Sequence, residues 1–276
     1  IGDGYTWQDV LSKNFQNHNK HISVVNAGID GQSTFGHINN FHEWFPLVPN
    51  LRPQYILFYI GINDFYRNAF DNYDNFDVEK RQSNFIENFK RKSIFAKIHR
   101  IYRGNYLASA YGLNHDLNYS LDTSSWTSVP LLKPIDYTKL MSTDLNLYEG
   151  RLKTLSILAK EIGAIPIFVT QTTRRFHFDG ITIKGENSAD ILHNTIDEGL
   201  KYNYNGIEYN GVDFYHMMNI LNRTTMRFAE NNGYIAIDLA KDLIEEFDIF
   251  HDYYDAVHNT PSGAKKIGDY LFLRLK

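Results

Sequence analysis

Two residues near the end of the chain have the types and the spacing of an acid–base pair. Asp255 stands three positions before His258, just ahead of a stretch with helical periodicity. A carboxylate at this spacing can reach the Nδ1–H of the imidazole when both residues lie on one turn, where it fixes the tautomer and stabilises the imidazolium. The spacing therefore allows a general base with its orienting acid, but on its own it fits an ordinary pair of loop residues equally well. His251 could join the two in a metal site, but no further ligands at good spacing accompany them, and we expect no metal.

Glycine-bearing turns earlier in the chain could supply hydrogen-bond donors to a developing negative charge. Residues 26–34 (NAGIDGQST) follow a β-rich stretch and open a helix, so backbone N–H groups around Gly31 can point at an oxyanion. Asn63 follows the most apolar stretch of the chain, and its side-chain amide can donate into a crevice at that strand end. The alternatives are a plain strand-to-helix turn for the first motif and an Asx turn or helix cap for the second. We expect the neighbouring Asp64 to anchor the loop.

These candidate residues are separated by a repeated order of strand and helix. Periodicity and apolar runs predict strands over 21–26, 55–60, 165–169 and 234–237, and helices over 7–15, 34–45, 148–162, 213–231 and 262–275. The periodicity weakens over 66–144, which we interpret as an insertion with one or two helices, and 176–211 has the composition of a long surface loop. The chain is therefore predicted to form a single α/β domain over 1–276, with helices on both faces of a parallel sheet.

The composition excludes several classes of function. Charged residues make up 22% of the 276 residues and the net charge is −4, so the chain has no basic footprint for nucleic acid. It contains no Cys, which excludes disulfides, thiolate metal sites and a cysteine nucleophile. The longest strongly apolar run, 55–62, is too short for a membrane span. A flavodoxin-like nucleotide binder is a further possible class. The sequence has no phosphate-binding glycine loop of the G-x-G-x-x-G or P-loop form, which argues against it. Composition leaves the cellular compartment open.

Taken in order, the three motifs resemble those of the SGNH hydrolases, the GDSL-type esterases and lipases. Gly31 matches the glycine of the family's second block, and Asn63 matches the asparagine of the third block. Asp255 and His258 match the pair of the fifth block. The resemblance runs from about Trp7 to the last residue, apart from the insertion.

Two further stretches are similar to parts of the same family. Residues 51–64 (LRPQYILFYIGIND) resemble the third block with its leading strand, and 165–171 (IPIFVTQ) resembles a strand that commonly ends in Thr-Gln. The resemblance implies a three-layer α/β/α sandwich with a parallel, flavodoxin-like sheet.

The resemblance also implies a reaction and a role for each matched residue. The Gly31 N–H and the Asn63 side chain would share an oxyanion hole with the N–H of the nucleophile. His258 would be the general base and Asp255 its orienting acid, with neither metal nor cofactor. The reaction would be hydrolysis of an O-acyl ester through an acyl-enzyme, and acyl transfer to a sugar is a variant of it. The substrate would be an ester of a small molecule, a glycan or a lipid.

The first block of the family, which carries the nucleophilic serine at the end of the first strand, has no counterpart in the sequence. In one explanation, residues 1–4 (IGDG) are a degenerate Gly-Asp-Ser in which Gly4 replaces the serine, and the chain is an inactive binding module. In the other, the serine lies on a separate or upstream N-terminal segment together with the first strand. We favour the second, partly because helical periodicity begins at Trp7, directly after Gly4. In addition, the family's first strand lies between the second and third, and its loss would leave backbone groups unpaired at ~1–3 kcal/mol each.

Other polar residues carry weaker predictions. Ser33 lies in a Gly-Gln-Ser-Thr-Phe-Gly context, one residue out of register with the Gly-x-Ser-x-Gly nucleophile elbow. We therefore expect Ser33 to cap the following helix rather than to act as the nucleophile. Arg174 and Arg175 follow the predicted 165–169 strand and could hold an anionic group, although we expect them to be loop arginines in solvent.

Overall fold

The chain contains both helices and strands, and a computed structural model describes it over residues 4–29, 31–69, 74, 126–187, 203–254 and 257–276. The helices are α1 (Trp7–Asn17), α2 (Thr34–Glu43), α3 (Ile62–Ala69), α4 (Pro134–Glu161), α5 (Gly211–Asn231), α6 (Leu239–Asp242) and α7 (Pro261–Leu275), with a short 3-10 helix at Phe45–Leu47. The strands are β1 (Tyr55–Tyr59), β2 (Trp126–Thr127), β3 (Ile165–Val169), β4 (Phe176–Phe178), β5 (Ile183–Glu186), β6 (Asn203–Tyr204), β7 (Ile207–Glu208) and β8 (Ile235–Ile237).

β1, β3 and β8 form a three-stranded parallel sheet with β3 in the middle. The register places Tyr55 opposite Ile165 at the start of β1 and β3. These strands form where the sequence is continuously apolar, because a strand that is covered on both faces needs apolar side chains at successive positions. The strands predicted over 55–60, 165–169 and 234–237 are therefore confirmed.

Alternate side chains of this sheet belong to two separate hydrophobic clusters. Phe58 and Phe168 lie in the larger cluster, with side chains of α4 and α5. Ile167, Val169 and Ile237 lie in the second cluster, with side chains of α1 and α7. Helices from different parts of the chain therefore cover the two sets of strand side chains, and the carboxyl ends of the parallel strands meet at one edge of the sheet.

Residues 21–26, predicted to form a strand, are not part of any strand in the structure. Most of them are exposed, although Val24 is partly buried against the second cluster. The β-rich composition is not sufficient, because a strand also needs a neighbour for its backbone hydrogen bonds. Within the described residues, β1 is the edge of the parallel sheet on the side away from β3.

The backbone of β1 shows which of its residues face that outer edge. The N–H of Ile60 donates to the Val169 carbonyl at 3.4 Å, and the Gln54 carbonyl accepts from Ile165 at 2.9 Å. Hydrogen bonding in a parallel pair alternates from residue to residue, so even-numbered positions of β1 bond to β3. Odd-numbered positions, such as Leu57, direct their N–H and C=O groups away from β3.

Two other predictions need correction. The helix predicted over 148–162 begins much earlier, at Pro134, where proline suits the first helical turn. Its first turns fall in the range that we interpreted as an insertion, and residues 70–73 and 75–125 of that range lie outside the described residues. The region 176–211 is not simply a loop, because it contains the antiparallel pairs β4–β5 and β6–β7. Strands of two to four residues are too short to give a clear alternating pattern.

Candidate active site at the carboxyl ends of the parallel strands

Side chains that follow β3 tie together the turns at this edge of the sheet. The Thr170 hydroxyl donates to Asp238 Oδ1 at 2.9 Å and accepts from the Ala240 N–H at 2.9 Å, which joins the ends of β3 and β8. Gln171 Oε1 accepts the N–H of Ile62 at 2.9 Å, which joins the end of β3 to the first turn of α3. The start of α3, where Asn63 lies, is therefore held in place by a side chain of the neighbouring strand end.

The two residues predicted to form an oxyanion hole meet at one turn. Gly31 has φ of +73°, which glycine adopts at little cost. The carbonyl of the next residue, Gln32, accepts a hydrogen bond from Asn63 Nδ2 at 3.0 Å. Two hydrogen bonds between the side chains of Gln32 and Asn40, of 3.1 and 2.7 Å, fix Gln32 in turn. The Asn63 amide thus lies beside the backbone of the turn that contains Gly31.

The buried carboxylate of Asp64 joins this turn to α3 and α4. It accepts the N–H of Thr34 at 3.0 Å and also the Thr34 hydroxyl. Arg151 donates to Asp64 Oδ1 at 3.1 Å and to Thr34 Oγ1 at 2.7 Å. Burial raises the pKa of Asp64 above its ordinary value, whereas Arg151 and Thr34 act in the opposite direction. The anchoring role predicted for Asp64 is confirmed by these contacts.

Ser33 caps α2, as the sequence predicts. Its Oγ accepts the N–H of Phe35 at 3.2 Å and donates to Asp74 Oδ2 at 2.7 Å. The same Asp74 oxygen accepts the N–H groups of Ser33 and Gly36, at 2.8 and 2.9 Å. The hydroxyl is therefore engaged in holding the helix start, which argues against a nucleophilic role.

His258 lies in a short loop that leads into α7. The N–H of Tyr254 donates to the His258 carbonyl at 3.1 Å, and Tyr253 forms an antiparallel bridge with Asn259, so the loop closes on itself. The rings of Tyr254 and His258 stack with centroids 5.6 Å apart and planes 10° from parallel. The His258 side chain is half-buried. Asp255 lies outside the described residues, so its pairing with His258 stays a prediction.

Asp252, which the motifs did not single out, anchors this loop to α7. Its buried carboxylate accepts the N–H of Asp248 at 2.7 Å, the hydroxyl of Ser262 at 2.7 Å and the ammonium of Lys266 at 2.6 Å. Ser262 and Lys266 lie four residues apart on α7, and therefore on one face of the helix. This spacing is the sequence signal that could have indicated a shared acceptor such as Asp252. One carboxylate thus sets the position of the His258 loop relative to the helix.

The same loop lies beside the end of β1. Tyr253 is buried. Its burial raises the pKa of its hydroxyl well above the ordinary value, and the nearby Tyr59 side chain raises it further. Tyr59 is the last residue of β1. Val257 packs against the larger cluster. His258 is therefore at the same edge of the sheet as the turns that carry Asn63 and Gly31.

Arg174 and Arg175 are buried, so the prediction that they lie in solvent is wrong. Each guanidinium is 4.0 Å from the Glu186 carboxylate of β5. Arg175 Nε also donates to the Tyr66 hydroxyl at 3.1 Å, and the guanidinium lies 5.7 Å from the centroid of the Phe214 ring. Buried guanidinium groups need an acidic neighbour. That neighbour comes from a strand that local composition does not reveal.

Within the residues that the structure describes, no group of three or more His, Asp or Glu side chains could hold a metal ion. His251, a member of the alternative metal set, is exposed and pairs with Asp248 at 2.8 Å. The third member, Asp255, lies outside those residues. No helix in the same part of the chain is long and apolar enough to cross a membrane.

Comparisons with known proteins find a likeness to a solved structure. No protein-family model matches the chain, and no curated protein matches it either. Among solved structures, the chain is similar to the crystal structure of an acetyl xylan esterase, AlAXEase, with a TM-score of 0.44 and 11% sequence identity over 99% of this chain and 91% of that chain. A likeness at this level leaves the activity of this chain to be inferred from its own residues.

Proposed function

We propose that the protein is a serine ester hydrolase of the SGNH type, built as a three-layer α/β/α sandwich with a flavodoxin-like sheet. The observation that carries the proposal is the hydrogen bond from Asn63 Nδ2 to the Gln32 carbonyl, beside Gly31. It sets an amide donor against a glycine turn at the sheet edge where the His258 loop also lies. Hydrogen-bond donors and an imidazole at one edge of a sheet suit acyl transfer. The proposed substrate is an O-acyl ester of a small molecule, a carbohydrate or a lipid.

In the proposed reaction, His258 takes the proton of a serine hydroxyl as the serine oxygen attacks the acyl carbonyl. The Gly31 N–H and the Asn63 amide donate to the oxyanion of the tetrahedral intermediate. Its collapse breaks the ester C–O bond, and the leaving alcohol takes the proton from His258. Water then attacks the acyl-enzyme with His258 as base again, which releases the carboxylic acid and restores the serine. Asp255 orients the imidazole throughout.

We further propose that the serine lies on a separate segment, N-terminal in origin, that forms a strand along the outer edge of β1. Odd-numbered positions of β1, such as Leu57, direct their backbone groups toward that edge. Val24, Leu57 and Tyr59 are all partly buried against the second cluster, so an apolar strand beside β1 would continue this packing. A strand parallel to β1 would end at the edge where His258 lies, which is where the reaction needs the hydroxyl.

The first experiment is a denaturing intact-mass spectrum of the purified protein, before and after treatment with a fluorophosphonate. We expect an adduct on a separate fragment that carries the serine. An adduct on the 276-residue chain itself would support the hydrolase and refute the separate segment. Absence of both the adduct and p-nitrophenyl acetate hydrolysis would refute the enzyme and favour an inactive binding module of the same fold.

A pair of histidine variants tests the general base. His258→Ala should abolish p-nitrophenyl acetate hydrolysis while the far-UV circular dichroism stays unchanged, because the nucleophile loses its base. His251→Ala is the matched control, since His251 is an exposed histidine seven residues earlier in the chain, and its rate should equal that of the wild type. Full activity of His258→Ala would remove His258 from the mechanism.

A further inference from the structure

We propose that Tyr254 is a positioning residue for His258, which holds the imidazole by ring stacking in the orientation that the reaction needs. This inference rests on the proposed role of His258 as the general base. It concerns a side chain that lies in none of the three motifs.

The rings of Tyr254 and His258 are stacked face to face. Their centroids are 5.6 Å apart and their planes are 10° from parallel, within the range of offset-stacked aromatic pairs. The backbone of Tyr254 is held as well, because its N–H donates to the His258 carbonyl at 3.1 Å. Tyr254 therefore contacts His258 through both its backbone and its side chain.

A half-buried histidine in a loop needs such a restraint. The imidazole of a general base must keep one ring nitrogen directed at the nucleophile, and a small misplacement lowers the rate substantially. Stacking on Tyr254 restricts rotation of the imidazole about its side-chain bonds. The face of an aromatic ring also attracts a cation, so the stack favours the imidazolium that forms in the transition state. Both effects act on the chemical step and not on substrate binding, so they should change kcat rather than KM.

Substitutions at Tyr254 separate stacking from the hydroxyl group. Tyr254→Leu removes the aromatic face and should lower kcat about three- to tenfold with KM nearly unchanged. Tyr254→Phe keeps the face and should restore kcat to within about twofold of the wild type. The matched control is Phe250→Leu, because Phe250 is an exposed aromatic residue four positions earlier, and its kcat should not change.

Proton NMR of the histidine ring signals gives a readout that does not depend on turnover. The His258 signals are assigned by their absence from the spectrum of His258→Gln. Loss of the stacked ring in Tyr254→Leu should move these signals downfield, while Tyr254→Phe leaves them in place. Unmoved signals, or an unchanged kcat in Tyr254→Leu, would overturn the role of Tyr254. Full activity of His258→Ala would instead show that the proposed function has failed, whether or not the rings stack.

Discussion

Replacement of Asp252 by Ala should lower the free energy of unfolding by about 3–5 kcal/mol. The carboxylate accepts hydrogen bonds from the Asp248 N–H, the Ser262 hydroxyl and the Lys266 ammonium. The first two donors would each lose a buried acceptor, at ~1–2 kcal/mol apiece. The ammonium keeps the Glu246 carbonyl at 2.6 Å and is partly exposed, so its loss is only ~1 kcal/mol. Asp252→Asn should cost less than Asp252→Ala, because the amide oxygen can still accept two of the bonds.

Urea unfolding monitored by circular dichroism measures this difference. The matched control is Asp242→Ala, which removes a carboxylate that pairs at the surface with Tyr270 and Arg274. Surface pairs contribute little, and we expect this control to lose less than about 1 kcal/mol. If Asp252→Ala lost no more than Asp242→Ala, the anchoring role of Asp252 in the His258 loop would be refuted.

Three other substitutions test separate parts of the structure. Asn63→Ala should lower kcat for p-nitrophenyl acetate by ~10²–10³ through loss of an oxyanion donor, and an unchanged kcat would exclude Asn63 from the site. Burial lowers the pKa of His37 from 6.5 to about 4. Between these two pH values the unfolded chain binds a proton on His37 that the folded chain does not bind, so the free energy of unfolding falls as the pH drops. Relative to His37→Gln, the wild type should lose at most about 3 kcal/mol in urea unfolding between pH 7 and pH 4, and identical pH profiles would contradict this. Gly268→Ala should cost ~1–3 kcal/mol, since a Cβ there would lie 2.6 Å from α1, whereas Gly150→Ala meets open space and should not destabilise.

The parts of the fold that the sequence predicts well are those with a strong local cause. β1 and β3 follow from apolar runs, and those runs reflect burial on both faces of the sheet. The start of α2 follows from Ser33, whose hydroxyl accepts a backbone N–H of the first turn. The contact of Asn63 with the turn that contains Gly31 rests on the hydrogen bond to the Gln32 carbonyl, although the strand predicted before Gly31 does not form.

What the sequence does not reveal depends on contacts between distant residues. Asp252 bonds to Lys266 across fourteen positions, and Arg175 faces Glu186 from another strand. Neither carboxylate has a local pattern that distinguishes it from a solvated acidic residue. Asp64 was easier to interpret, because it stands directly beside Asn63 in a recognisable motif.

The stretch 21–26 shows that a local strand pattern is not sufficient when the partner strand is missing from the described residues. Its residues have the intrinsic preference for a strand, and Val24 reaches the second cluster as a strand residue would. Yet preference alone does not form a ladder, because each N–H and C=O needs an acceptor or donor on a neighbouring chain segment. The outer edge of β1 offers such groups at Leu57 and its odd-numbered neighbours. In the described residues the two edges are not joined, and one strand between them would satisfy both at once. The added strand proposed above would complete the sheet on this side and end at the edge where the His258 loop lies.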